Sequence, residues 1–85
     1  MTPLAIEAQQ RLEERRAAIE RSLPEAPTDT AWRELAETQA ALDRIEQGRY
    51  GRCESCGGAI GRQRLLALPA IRYCIDCTGG DLAKR

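Results

Sequence analysis

The chain has 85 residues, 31% of them charged and only 4% aromatic, with four cysteines, no histidine and no phenylalanine. That length allows one small domain, or a very small one with an extended appendage, and excludes a large self-sufficient core. The formal charge is zero but unevenly divided: residues 1–47 carry six Lys/Arg against ten Asp/Glu, and residues 48–85 carry seven against three. The basic half is too weakly charged for the strong field of a dedicated nucleic-acid binder.

Residues 4–23 read as one amphipathic helix. Leu12, Ile19 and Leu23 recur at seven and four residues, Leu4 and Ala8 extend the stripe upstream, and Glu13, Glu14, Arg16 and Glu20 fill the other faces. Pro24 removes an N–H and pushes Leu23 out of helical geometry, so the helix should stop there. This opening segment lacks the apolar centre and small-residue cleavage site of a signal peptide. No run approaches the roughly 20 apolar residues that cross a bilayer. The expectation is a cytoplasmic protein without a membrane partner.

A second helix is expected from about Thr30 to Gln47. Trp32, Leu35, Gln39, Leu42 and Ile45 step by three and four, the spacing of a packing seam, which favours Trp32 as a core residue over the partner contact that its place near the tip also allows. Thr28 or Asp29 supplies the N-cap and Gly48 the left-handed closure. Two helices joined by "PEAPTD" should fold back antiparallel, giving a hairpin over residues 1–48 with its tip at about 24–29. One buried stripe is marginal alone, so the open end needs an anchor.

That anchor is written in residues 49–85, expected to form a four-cysteine zinc finger with a short C-terminal tail. Cys53, Cys56, Cys74 and Cys77 make two Cys-x-x-Cys pairs, each presenting two thiolates from one tight turn. In a reducing compartment such pairs are metal ligands rather than disulfides. Glycines 57 and 58 let the backbone turn tightly behind the first pair, and Ile60, Leu65, Leu68 and Ile71 offer a small apolar pad. Four thiolates fill a tetrahedral shell, so one structural Zn²⁺ is expected, with no open position for hydrolysis. The cluster's own charge lowers the basic excess of this half further. Arg49, Arg52, Arg62, Arg64 and Arg72 crowd the module, as partner contacts or as solvated compensation for the thiolates. With no histidine, no phosphate-binding loop and a closed shell, an enzyme is not expected. The fold class is therefore mainly α, an antiparallel two-helix hairpin attached to a small zinc-ribbon module.

"ALDRIEQGRYGRCESCGGAIGRQRLLALPAIRYCIDC" closely resembles the signature of the DksA/TraR family of bacterial transcription regulators. The matching positions are Gly48, Tyr50, Gly51, Cys53, Cys56, Gly57, Ile60, Arg64, Leu65, Ala67, Pro69, Cys74 and Cys77. The resemblance implies a coiled coil carried on a zinc finger. It also implies binding to RNA polymerase through its secondary channel, without sequence-specific DNA contacts. The family's acidic tip motif, Asp-x-x-Asp-x-Ala, maps its second half onto Asp29, Thr30 and Ala31, whereas its first aspartate falls on Ala26, with Glu25 beside it. Glu25, Asp29 and Ala31 are thus the partner-binding residues the resemblance implies. The arms are shorter than in full-length members. "TGGDLAKR" stands where members often continue as a C-terminal helix that helps hold an alarmone, so alarmone binding is not expected. The competing functions are an adaptor that binds another protein and a nucleic-acid-binding zinc finger.

Overall fold

The structure is a computed structural model that describes residues 2–77. The tail expected after the last cysteine lies outside the described residues. Helix α1 (Pro3–Ser22) and helix α2 (Asp29–Glu46) run antiparallel, and a short helix α3 (Arg62–Ala67) lies between the two cysteine pairs. At 1.5 Å per residue the long helices measure about 30 and 27 Å.

Local chemistry sets the ends. Thr2 Oγ1 accepts from the Ala5 N–H at 3.1 Å, and Pro3 occupies a first-turn position that needs no donor. Leu23 ends α1 just before Pro24. Thr28 caps α2, its Oγ1 accepting from the Ala31 N–H at 3.0 Å, so Asp29 stands in the first turn rather than at the cap. Replacing Thr28 by Ala should cost about 1 kcal/mol. The check is a thermal melt beside Thr30→Ala, which should change little. Gly48 closes α2 at φ +73°, letting the Arg49 N–H reach back to the Arg44 carbonyl at 2.8 Å.

The hairpin seam differs from the one the periodicity suggests. α1 buries Ala5, Ala8, Leu12 and Ile19 much as expected, but α2 turns Thr38, Ala41, Arg44 and Ile45 inward. Trp32, expected in the core, is 55% exposed, and Gln39 is exposed as well. Toward the base, Ala5, Ala8 and Ala41 let the helices approach closely around Leu12. Thr38 tolerates burial because its hydroxyl donates to the Glu34 carbonyl at 2.7 Å.

A second apolar cluster holds the finger together: Cys53, Ile60, Leu65 and Cys74, with Ile71 and Leu4 against it. Leu68, expected in this pad, is 58% exposed, because the chain leaves helical geometry there, at the end of α3. Tyr50 packs against both clusters and its hydroxyl donates to the Pro69 carbonyl at 2.9 Å, fastening finger to hairpin. The ribbon character of the module is confined to one antiparallel bridge, Arg52 with Ala59.

The finger does more than join the open end of the hairpin. It lies back along the lower flank, where Leu12, Arg15 and Glu37 share a cleft with Ala67–Ile71, and Arg11 Nη1 donates to the Leu66 carbonyl at 2.7 Å. Among the described residues, only the upper half of the hairpin stands clear of the finger.

Candidate metal centre and hairpin tip

The first knuckle is built by backbone. The Cys53 N–H donates to the Gly58 carbonyl at 2.8 Å and the Gly57 N–H to the Cys53 carbonyl at 2.9 Å, closing a loop whose return needs Gly57 at φ +77°. The Gly58 N–H points at Cys56 Sγ, 3.4 Å away. The second knuckle, Cys74 to Cys77, is tied to the first by the Glu54 N–H donating to the Arg72 carbonyl at 2.9 Å.

All four sulfurs lie within 4.8 Å of one another. The Cys56–Cys74 separation of 3.8 Å is far too long for a disulfide and equals the edge of a tetrahedron with metal–sulfur bonds of about 2.3 Å. Cys53 and Cys74 are buried, Cys77 is half-buried and Cys56 is exposed. Backbone N–H groups of Cys74 first, then Cys56 and Ser55, hold the Cys53 thiol below its ordinary range. The neighbouring sulfurs of Cys53 and Cys74 push Cys77 up. Crowded sulfur with N–H donors aimed at it is the chemistry of a metal–thiolate cluster, and the donor set fits one zinc ion. When bound, zinc would neutralise half of the four thiolate charges and cross-link the two knuckles.

Charge organises the surroundings in a way the sequence did not suggest. Arg44, unremarkable on α2, is 3% exposed. Its Nη2 donates to the Ala70 carbonyl at 3.3 Å and its Nη1 faces Glu54 Oε1 at 3.6 Å. Burial, then the nearby Arg72 cation, pull its pKa down. Arg72 is neither a free partner contact nor a solvated counter-charge. Its Nε and Nη2 grip the Glu37 carboxylate at 2.6 and 3.1 Å, and that hydrogen bonding raises its pKa. Arg64 Nη2 donates to the Tyr73 carbonyl at 3.4 Å, and Arg49 pairs with Glu54 at 3.8 Å. Sequence offered one usable signal, the i, i+1 placement of Glu54 and i−2 placement of Arg72 against ligand cysteines, but nothing pointed to their partners on α2.

At the far end, Glu25 and Asp29 are exposed and Ala31 is half-buried. The turn is held by Ala26 N–H to Ser22 carbonyl and Thr28 N–H to Ala26 carbonyl, both 2.9 Å. Tip and metal centre lie at opposite ends of α2, so the structure does not bring the two sets of site residues together.

Among the described residues no helix is long and apolar enough to cross a membrane. Residues 48–80 match the prokaryotic DksA/TraR C4-type zinc finger. An uncharacterized protein of Aquifex aeolicus is 51% identical over 43 residues, covering 51% of this chain and 30% of that protein. The RNA polymerase-binding transcription factor DksA of Escherichia coli K12 is 42% identical over 43 residues, covering 51% of this chain and 28% of its own length. The match thus spans under a third of these relatives. Over the whole chain, the solved structure of the RNA polymerase binding protein and transcriptional regulator Dks from Chlamydia trachomatis superposes with a TM-score of 0.80 at 25% identity, covering 99% of this chain and 94% of that one. The finger, residues 48–80, is thus of the DksA/TraR C4 type in sequence, and the hairpin-on-finger architecture is similar end to end to that solved structure.

Proposed function

We propose that this protein binds bacterial RNA polymerase through its hairpin tip, entering the secondary channel, and so modulates transcription initiation. Cys53, Cys56, Cys74 and Cys77 hold one structural zinc that rigidifies the base, and the protein acts by binding rather than by catalysis. The observation that carries this function is the shared architecture with a regulator of nearly the same size, itself described as binding RNA polymerase.

The tip supports it. Asp29 is exposed in the first turn of α2 and Glu25 stands in the loop before it. Trp32, one turn further on, is exposed rather than packed in the core. Exposed tryptophan is a large, rigid anchor that partner surfaces use disproportionately. Of the finger's arginines, Arg49, Arg64 and Arg72 are engaged within the chain, which supports a protein target over duplex DNA. Binding to free duplex should therefore lack the steep salt dependence of a phosphate-tracking protein.

The test is pull-down of core RNA polymerase by the zinc-loaded protein, with multi-round transcription in parallel. Asp29→Asn should retain polymerase binding and lose regulation of promoters, while Trp32→Ala should weaken binding roughly tenfold or more. Wild-type protein that captures no polymerase, or an Asp29→Asn variant that regulates normally, would remove the respective half of this function.

A further inference from the structure

Among the described residues, and besides the Arg11–Leu66 hydrogen bond, the finger meets the hairpin in two places. Near the base, Tyr50 and Ala70 pack against the cluster that includes Ala41 and Ile45. Apolar contacts of this kind are non-directional and by themselves permit a pivot. The second meeting point is polar and lies higher. Glu37 precedes Ile45 by two turns and more, about 12 Å along the axis of α2. There Arg72 grips Glu37 with two hydrogen bonds, 2.6 and 3.1 Å. A directional contact displaced that far from a pivot fixes an angle.

Both finger residues in this network are attached to the metal knuckles. Glu54 follows Cys53 directly and Arg72 stands two residues before Cys74; the Glu54 N–H donates to the Arg72 carbonyl at 2.9 Å. Glu54 Oε1 then faces both Arg72 Nη1 and Arg44 Nη1 at 3.6 Å. The order is Glu37, Arg72, Glu54, Arg44: it starts on α2, crosses one knuckle, passes to the other, and returns to α2. Charges alternate along it, and Arg44 is buried with Glu54 as its ion-pair partner.

We propose that these four side chains form a charge latch that sets the angle between hairpin and finger, and that metal loading of the knuckles keeps the latch closed. With the knuckles cross-linked, Glu54 and Arg72 are presented side by side and both reach α2. Without the cross-link their spacing is lost, and with it the contact that holds the hairpin at its angle. The direction in which the tip points thus becomes a property of the metal-loaded state. This device is independent of which partner the tip meets.

The test uses the full-length, ¹⁵N-labelled, zinc-loaded chain and backbone N–H residual dipolar couplings in a dilute aligning medium, with metal content measured on the same samples. Wild-type couplings from α1, α2 and the finger should fit one alignment tensor. Glu37→Gln leaves the ligands and the pair Glu54–Arg44 in place. It should keep its zinc and yet require separate tensors for hairpin and finger. A single shared tensor in this variant would overturn the proposal, assigning the angle to apolar packing and the Arg11 contact instead. Loss of zinc by Glu37→Gln would overturn it too, since the network would then belong to metal retention. In wild-type protein treated with a chelator, the Arg72 Nε–H should lose its protection from solvent exchange. Its persistence would show the latch closed without metal, against the proposal.

Discussion

Cys74→Ser, or removal of zinc by a strong chelator, is expected to unfold the finger outright. Metal binding to a closed thiolate shell contributes on the order of 10 kcal/mol to folding in small metal domains. A chain of this length has a total stability of about 4–13 kcal/mol at the usual figure per residue. The metal contribution is therefore comparable to the whole. The finger's apolar cluster contains only Ile60 and Leu65 besides two of the cysteines themselves, which cannot replace it. The damage should spread, because Tyr50 spans both clusters and Ala70 packs on the hairpin core. Amide resonances of residues 50–77 should collapse to unfolded positions, and far-ultraviolet helicity should fall as the hairpin loses its base. Metal-free wild-type protein that keeps its dispersed spectrum and four titratable thiols would refute the structural role of the metal.

Leu12→Ala should be the most damaging substitution in the hairpin. Leu12 is 1% exposed, lies among Ala5, Ala8, Ala41 and Ile45, and also lines the cleft shared with the finger. Its neighbours are too small to collapse into the space it would leave. A buried Leu→Ala change costs about 3–5 kcal/mol where the surroundings do not relax. For a domain of this size that corresponds to a fall in midpoint of roughly 15 °C or more. Ile6→Ala, on the same helix but 47% exposed, should shift the midpoint by only a few degrees. Thermal denaturation of the two zinc-loaded variants decides it, and equal midpoints would mean that the seam is not where Leu12 lies.

Features governed by neighbouring residues were legible before any coordinates. Pro24 and Gly48 end their helices for stereochemical reasons that operate within a few residues. The two cysteine pairs announce a knuckle each, because a short loop alone determines the bite of its thiolates. The seam of α2 was misplaced because hydrophobic stepping favours the largest apolar side chain, and here the contact is made by alanines and a self-satisfied threonine. Trp32 fits the stepping and nonetheless lies outside the seam, 55% exposed. Arg44, Glu54 and Arg72 look like ordinary surface charge, since their pairing depends on residues 10 to 35 positions away. The short helix α3 has no side-chain cap to announce it. Glycine supplies its entry instead, with Gly61 at φ +107°.

The finger's place on the lower flank acts as a collar on a probe. Contacts reach as high as Arg15 on α1 and Glu37 on α2, leaving about 12 Å of paired helix plus the turn above them. A crevice wide enough for two helices but not for the finger would admit that length and then meet a shoulder. In such a crevice the depth of entry would be gauged by where Arg72 takes hold of α2, and lengthening the arms below that level would not let the tip travel any deeper.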